Sequence, residues 1–173
     1  SHHMTISTTP LLALATALSL AYAAPALAHG TKQHDGARAS AAIADAEQMP
    51  WGIAGASSAV GQTIEVAAHD RMRFVPESIT VKQGETVRFV INNDAELMHE
   101  FVLGTSDSNE THAALMLKFP GMEHDAPYMA HMQPGGKGEV VWTFNEPGTF
   151  EFACLIAGHY QAGMVGTIKV VAD

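Results

Sequence analysis

The stretch MRFVPESITVKQGETVRFVINN, residues 72–93, alternates apolar and polar side chains at period two, a pattern typical of half-buried β-strands. Pro76 and the turn sequence at residues 82–85 divide it into three short strands. Similar runs lie on both sides of it, at residues 63–68, 99–104, 138–144, 149–154 and 164–172. Short strands separated by turn signals predict an all-β fold, an antiparallel sandwich or barrel.

The first 60 residues differ in composition from this strand-rich part. Residues 1–3 look like a tag remnant, and residues 4–28 contain an almost wholly apolar run that ends in a small-x-small cleavage pattern at Ala28. This pattern predicts a secretory signal peptide. The alternative is a membrane anchor, but the apolar run is shorter than the ~20 residues that a spanning helix needs. Residues 29–60, rich in Ala, Gly, Ser and His, predict an extended or partly disordered arm before a domain at 61–173.

The charge and the cysteine count narrow the function classes. The formal net charge of −9 makes nucleic acids and anionic membrane surfaces poor partners. The single cysteine, Cys154, cannot form an internal disulfide, so in an exported protein it needs another role.

Cys154 lies in a group of metal-ligating residue types. The segment FACLIAGHYQAGMVG, residues 152–166, also contains His159 and Met164. A thiolate with an imidazole suits a soft or borderline transition metal, and a thioether favours copper over zinc. A blue-copper centre needs a second imidazole, for which His99, at the start of a predicted strand, is the best candidate.

These residues resemble the cupredoxin family, which includes plastocyanin, azurin and pseudoazurin. The resemblance covers roughly residues 62–173 and is carried by RFVPESITVKQGETVRFVINN, MHEFVL, PGTFEFAC and GHYQAGMVGTIKV. It implies a Greek-key β-sandwich with one type 1 copper centre, and it is nearest to the periplasmic copper-tolerance cupredoxins. Carried over position by position, it implies the copper ligands His99, Cys154, His159 and Met164.

Two departures from the family pattern leave the colour of the centre open between blue and green. Glu100 follows the first ligand where many members have Asn, and Leu155-Ile156-Ala157 stand where many have Pro. Groups around the cysteine sulfur tune such centres. A binuclear centre would need a second bridging cysteine, which the sequence lacks.

The long segment at residues 105–137 is read as an insertion that holds a second group of copper-ligating residue types. Its first part, at residues 108–119, predicts a short helix with Ser108 as N-cap. The interpretation is a second copper site, and the alternative is that the methionines fill gaps in the packing. The candidates are His112, Met116, Met122, His124, Met129, His131 and Met132. His29 and His34 in the arm are weaker candidates for a Cu(II) site.

The sequence therefore predicts a periplasmic protein that binds copper, handles its redox state and supports copper tolerance. The alternative is a small electron-transfer protein for a respiratory or photosynthetic partner. A transient redox partner is expected to dock at the His159 patch, defined as His159 with Leu155, Ile156, Ala157 and Gly158. We do not expect an enzyme, apart from oxidation of Cu(I), because a copper nitrite reductase normally needs a second domain. We also expect no nucleic-acid partner and no membrane span once the signal peptide is removed.

Overall fold

Two β-sheets form the framework of residues 45–172, the part of the chain that this computed structural model describes. The predicted tag and signal peptide, most of the predicted arm, and the candidates His29 and His34 lie outside the described residues. No helix within residues 45–172 is long and apolar enough to cross a membrane. In chain order the elements are β1 (Ile53–Ala54), a 3-10 turn (Ser57–Ala59), β2 (Gln62–His69), β3 (Arg73–Val75), β4 (Ser78–Lys82), β5 (Thr86–Asn93), β6 (His99–Gly104), α1 (Ser106–Lys118), β7 (Met129–Met132), β8 (Lys137–Thr143), β9 (Gly148–Ala153) and β10 (Val165–Val171).

Each sheet has five strands, and the chain passes repeatedly from one to the other. The first sheet has the order β1-β8-β5-β2-β3 and the second the order β4-β10-β9-β6-β7. The prediction of an all-β sandwich is confirmed. Two pairs, β2 with β5 and β4 with β10, are parallel, and the remaining pairs are antiparallel. The sequence did not indicate β1 or β7, because strands of 2 and 4 residues are too short to show a clear alternation.

Aromatic side chains join the two sheets directly behind the strands that lead to the candidate ligands. Phe152 of β9 stacks on Phe101 of β6 with a centroid distance of 5.3 Å and meets Phe74 of β3 at 5.4 Å. Phe89 of β5 contacts Phe101 at 5.3 Å. All four rings are fully buried, and burying each contributes roughly 1.5–3 kcal/mol. The positions of β6 and β9 are therefore set by the core itself.

The end of the predicted arm is packed against the sandwich. Trp51 is buried, its carbonyl accepts a hydrogen bond of 2.9 Å from Trp142 Nε1, and its ring meets Tyr128 edge-on. The following residues, Ile53 and Ala54, pair with β8. Trp51 and β1 therefore anchor the end of the predicted arm to the sandwich.

Helix α1 packs on one face of the second sheet, against β6 and β9. It buries Asn109, Ala113 and Met116, which share one face, and Met116 packs in a cluster with Val102 and Ala153. The prediction of Ser108 as N-cap is wrong. Thr105 is the N-cap, and Ser108 is the third helical residue of a capping box in which each side chain bonds the other residue's backbone N–H. The sequence Thr-Ser-Asp-Ser offers several capping residues in a row, so residue type alone could not choose between them.

The capping box should contribute measurably to stability. Thr105→Ala removes an N-cap side chain, so we expect the free energy of unfolding to fall by about 1 kcal/mol. Thr111→Ala is the matched control, because Thr111 is exposed in the middle of α1 and alanine has the higher helix propensity. Urea denaturation should show a loss for the first variant and no loss for the second. Equal changes in both would contradict the role of Thr105.

Candidate metal centre

The candidate ligands lie at strand ends on one edge of the second sheet. His99 is the first residue of β6, and Cys154 directly follows the last residue of β9. Met164 directly precedes β10, so the segment 154–164 is the connection of the β9–β10 hairpin. His159 lies in the middle of this connection. Two neighbouring pieces of one sheet thus supply every predicted ligand.

Three of these side chains converge on one point. Cys154 Sγ lies 3.3 Å from His159 Nδ1 and 3.8 Å from His99 Nδ1. The three ligand atoms all lie within 4.8 Å of one another. Cys154, His99 and Met164 are fully buried, and Met164 belongs to the same hydrophobic cluster as Cys154. The structure thus brings together the thiol and the two imidazoles of the prediction, and a backbone hydrogen bond places Met164 next to Cys154.

Backbone hydrogen bonds fix the shape of the ligand loop, residues 154–164. Cys154 N–H donates to the Met164 carbonyl at 3.0 Å, and Met164 N–H donates to the His159 carbonyl at 3.1 Å. Gly158 and Gly163 adopt φ values of 89° and 94°, a region that residues with a Cβ rarely adopt. The tight return of the loop toward β10 therefore requires glycine at both positions.

A buried amide holds the segment that leads to His99. The Asn93 side-chain nitrogen lies 2.8 Å from the Leu97 carbonyl and 3.0 Å from that of Met132, and its oxygen accepts the Ala95 N–H at 3.0 Å. Asn93 thereby ties the turn before β6 to the end of β7. Sequence reasoning missed this residue, although a polar residue at the end of an apolar strand was a signal for it.

Burial controls the protonation of the ligands. It raises the pKa of the Cys154 thiol to about 12, while backbone hydrogen bonds from Glu100 and Ile156 act in the opposite direction. The Glu100 N–H lies 3.3 Å from Sγ. Burial lowers the pKa of both His99 and His159, so both imidazoles are neutral at neutral pH and free to bind a metal. A metal that binds Sγ must displace the thiol proton.

This donor set fits copper. A thiolate with two imidazoles and an adjacent thioether is the ligand set of blue-copper sites. Structural zinc would require a fourth Cys or His, and none of the described residues joins Cys154, His99 and His159 in that role. Bound copper would supply one-electron redox chemistry, with these residues as its ligands.

The comparisons with known proteins agree with the fold and the centre. The sequence model of the copper binding proteins of the plastocyanin/azurin family matches residues 60–171. The chain belongs to this family, the cupredoxins, and copper is its cofactor.

Individual relatives show which type of cupredoxin this chain resembles. The chain is 45% identical to the copper-resistant cuproprotein CopI of Rubrivivax gelatinosus, over 86% of this chain and 90% of that protein. It is 35% identical to CopI of Pseudomonas aeruginosa, over 76% of this chain and 88% of that protein. A solved structure of auracyanin B matches with a TM-score of 0.58 and 25% identity, over 69% of this chain and 96% of that one. The chain is thus a cupredoxin similar to the CopI type.

The seven candidates for a second copper site separate into two groups. The rings of His112 and His124 lie 4.3 Å apart between centroids, and those of His124 and His131 lie 6.0 Å apart. Met116 and Met122 line the same cavity as His124 and His131. Met129 and Met132 are buried in hydrophobic clusters and do not line this cavity, whereas Met116, which is buried in the same cluster as Met129, does line it.

Sequence reasoning also missed the function of Glu100 at this edge of the sheet. It was noted only as a departure from the family pattern, yet its carboxylate is buried and lies 3.3 Å from His131 Nε2. The register of β6 against β7, which pairs Glu100 with His131, brings the two together. The sequence could not show which residue pairs with Glu100, because β7 itself was not predicted.

Removing the thiol should abolish the visible spectrum of the copper protein. Cys154→Ser replaces the only sulfur anion, so we expect complete loss of the thiolate-to-copper charge-transfer band. The measurement is the visible absorption spectrum at matched copper loading, with near-ultraviolet circular dichroism as the control for folding. A folded variant that retains the band would disprove the assignment of Cys154.

Removing the thioether should have a smaller effect. Met164→Leu conserves the volume of a fully buried side chain, and an axial bond to sulfur is long and weak. We expect the variant to keep its copper and its colour but to change its reduction potential. Potentiometric titration of wild type and variant checks this. Complete loss of copper, or an unchanged potential, would show that Met164 is not an axial ligand.

Proposed function

We propose that this protein supports copper tolerance in the periplasm by binding copper at the Cys154 centre and cycling it between Cu(II) and Cu(I). The observation that carries the proposal is the convergence of His99, Cys154 and His159 within 4.8 Å. The names of the relatives from two bacteria, both described as copper-resistant cuproproteins, support the biological role. The proposed location is supported by the predicted signal peptide at residues 4–28.

The rigidity of the site suits one-electron chemistry. His99 begins β6, which lies between β9 and β7 in the sheet. The backbone hydrogen bond between Cys154 and Met164 closes the ligand loop. The same residues would hold both Cu(II) and Cu(I). Because their positions are fixed by the fold, the ligands would move little during electron transfer. Burial of Cys154 keeps water from the sulfur. The chain therefore contributes preorganisation, with no proton donor or acceptor required during the redox change.

The expected docking surface is smaller than the sequence indicated. Leu155 is fully buried, so its assignment to the His159 patch is wrong. It follows the cysteine directly, and the start of the loop still lies within the packed edge of the sheet. Ile156, Ala157, Gly158 and His159 are partly exposed. We propose that a redox partner docks transiently on these four residues, since an apolar surface around a partly exposed ligand suits short-lived contacts.

The second candidate function is that of an electron carrier for a respiratory or photosynthetic partner. The partly exposed edge of His159 favours this function equally. The two functions differ in the consequence of losing the centre for growth in copper. In either case we propose a binding and redox protein rather than an enzyme, with Cu(I) oxidation as the one activity that the centre could perform.

Growth of a bacterium that lacks its own homologue distinguishes the two functions. Wild-type protein should restore growth in copper, and Cys154→Ser should not, although it accumulates to the same level in the periplasmic fraction. His69→Asn is the control, because His69 lies at the end of β2 in the other sheet. Restoration of growth by Cys154→Ser would rule out the redox centre as the basis of tolerance. Absence of the protein from the periplasmic fraction would rule out the proposed location.

A further inference from the structure

We propose that Glu100, His112, His124 and His131 form a second metal site, specific for copper and distinct from the Cys154 centre. His112 comes from α1, His124 from the connection after it, His131 from β7 and Glu100 from β6. These four elements bring the side chains together so that each contacts the next, from His112 through His124 and His131 to Glu100. They line, or contact residues that line, a cavity of about 540 Å³.

Unpaired polar atoms in this cluster point to an absent ligand. Within residues 45–172, His112 Nε2 and both ring nitrogens of His124 are buried and have no hydrogen-bond partner. The same holds for Glu100 Oε2. Buried polar groups in folded proteins are almost always paired, so four such atoms in one cluster need an explanation. A metal cation is a partner that one nitrogen of each imidazole and the carboxylate oxygen can all bind.

The arrangement of the side chains is that of a chain of neighbouring ligands. The His112 and His124 ring centroids are 4.3 Å apart, those of His124 and His131 are 6.0 Å apart, and His131 Nε2 lies 3.3 Å from Glu100 Oε1. His112 and His124 are the closest pair and form the core of the site. The His131 side chain is a third exposed, which leaves it room to turn toward an ion held by that pair. Burial and the neighbouring His124 lower the pKa of His112, which keeps its nitrogen available.

The donor types select copper. Among divalent first-row metals Cu(II) binds nitrogen and oxygen ligands most tightly. The thioethers of Met116 and Met122 line the same cavity and add ligands that suit Cu(I) and have little affinity for zinc. The site is thus suited to hold copper in either oxidation state, whereas a zinc site would gain nothing from the methionines.

Glu100 connects this site to the Cys154 centre. Its backbone N–H donates to Cys154 Sγ at 3.3 Å, while its carboxylate faces the histidine cluster. A cation bound to the Glu100 carboxylate would act on the same residue whose backbone N–H donates to the Cys154 sulfur. Filling the second site should therefore shift the thiolate-to-copper band.

The test is a Cu(II) titration of the full chain, in competition with a chelator, on three proteins. The double variant His112→Asn/His124→Asn should bind one Cu(II) fewer per chain than wild type, and it should retain the thiolate band. His69→Asn should match wild type, because His69 is the one histidine of residues 45–172 outside both clusters. The N-terminal histidines are present in all three proteins, so their contribution cancels. Equal stoichiometry and affinity in all three proteins would overturn the proposal.

Two further measurements guard against an unfolded variant and a wrong metal. The single variant His124→Asn changes a residue in a connection and should weaken binding at this site at least ~10-fold, since loss of even an outer-shell partner of a ligand can do so. In wild type the band should shift as the second ion binds, and in either variant it should not. A band shift that persists in both variants, or Zn(II) binding as tight as Cu(II) at this site, would overturn the assignment. The thiolate band reports on the Cys154 centre separately, so failure here leaves the proposed function intact.

Discussion

The hydrogen bond from the Cys154 N–H to the Met164 carbonyl is the constraint on which the copper centre depends. It continues the β9–β10 ladder by one step and then releases the chain into the ligand loop. Phe152 packs β9 into the aromatic core, so the Cys154 sulfur, two residues further on, is held by a rigid strand. His99 reaches the same point because β6 is the neighbour of β9 in the sheet. The positions of the ligands therefore follow from the order of the strands, and Gly158 and Gly163 allow the ligand loop to close.

The sequence predicted the Cys154 centre well because its ligands lie where clear patterns end. His99 and Cys154 stand at the limits of alternating strands, and the spacing to His159 and Met164 is that of a known family. The histidine and methionine cluster was harder to predict, because its geometry depends on β7. Within this short strand Met129 packs in the cluster beside α1, Met132 packs in the core between the sheets and His131 is exposed, which no spacing rule revealed. Residue type alone could not separate ligands from packing, since methionine is suited to both.

The buried polar groups around the site fall into two kinds. Asn93 is paired by both its nitrogen and its oxygen, and it fixes the backbone before His99. Glu100, equally buried, has one oxygen near His131 and one without a partner. A buried polar side chain with all its hydrogen bonds fixes the local structure, whereas one that lacks a hydrogen-bond partner is free to bind a ligand. Folding thus completes the hydrogen bonds of Asn93 at the end of β5 and leaves one oxygen of Glu100 in β6 without a partner.

The hydrogen bond from Glu100 to the sulfur has a consequence for evolution. Because the donor is a backbone N–H, every amino acid except proline at position 100 can supply it. Mutation there can change the side chain without removing the donor from the thiolate. The side chain at position 100, next to His99, can therefore vary in evolution while the backbone donor to the Cys154 sulfur stays in place.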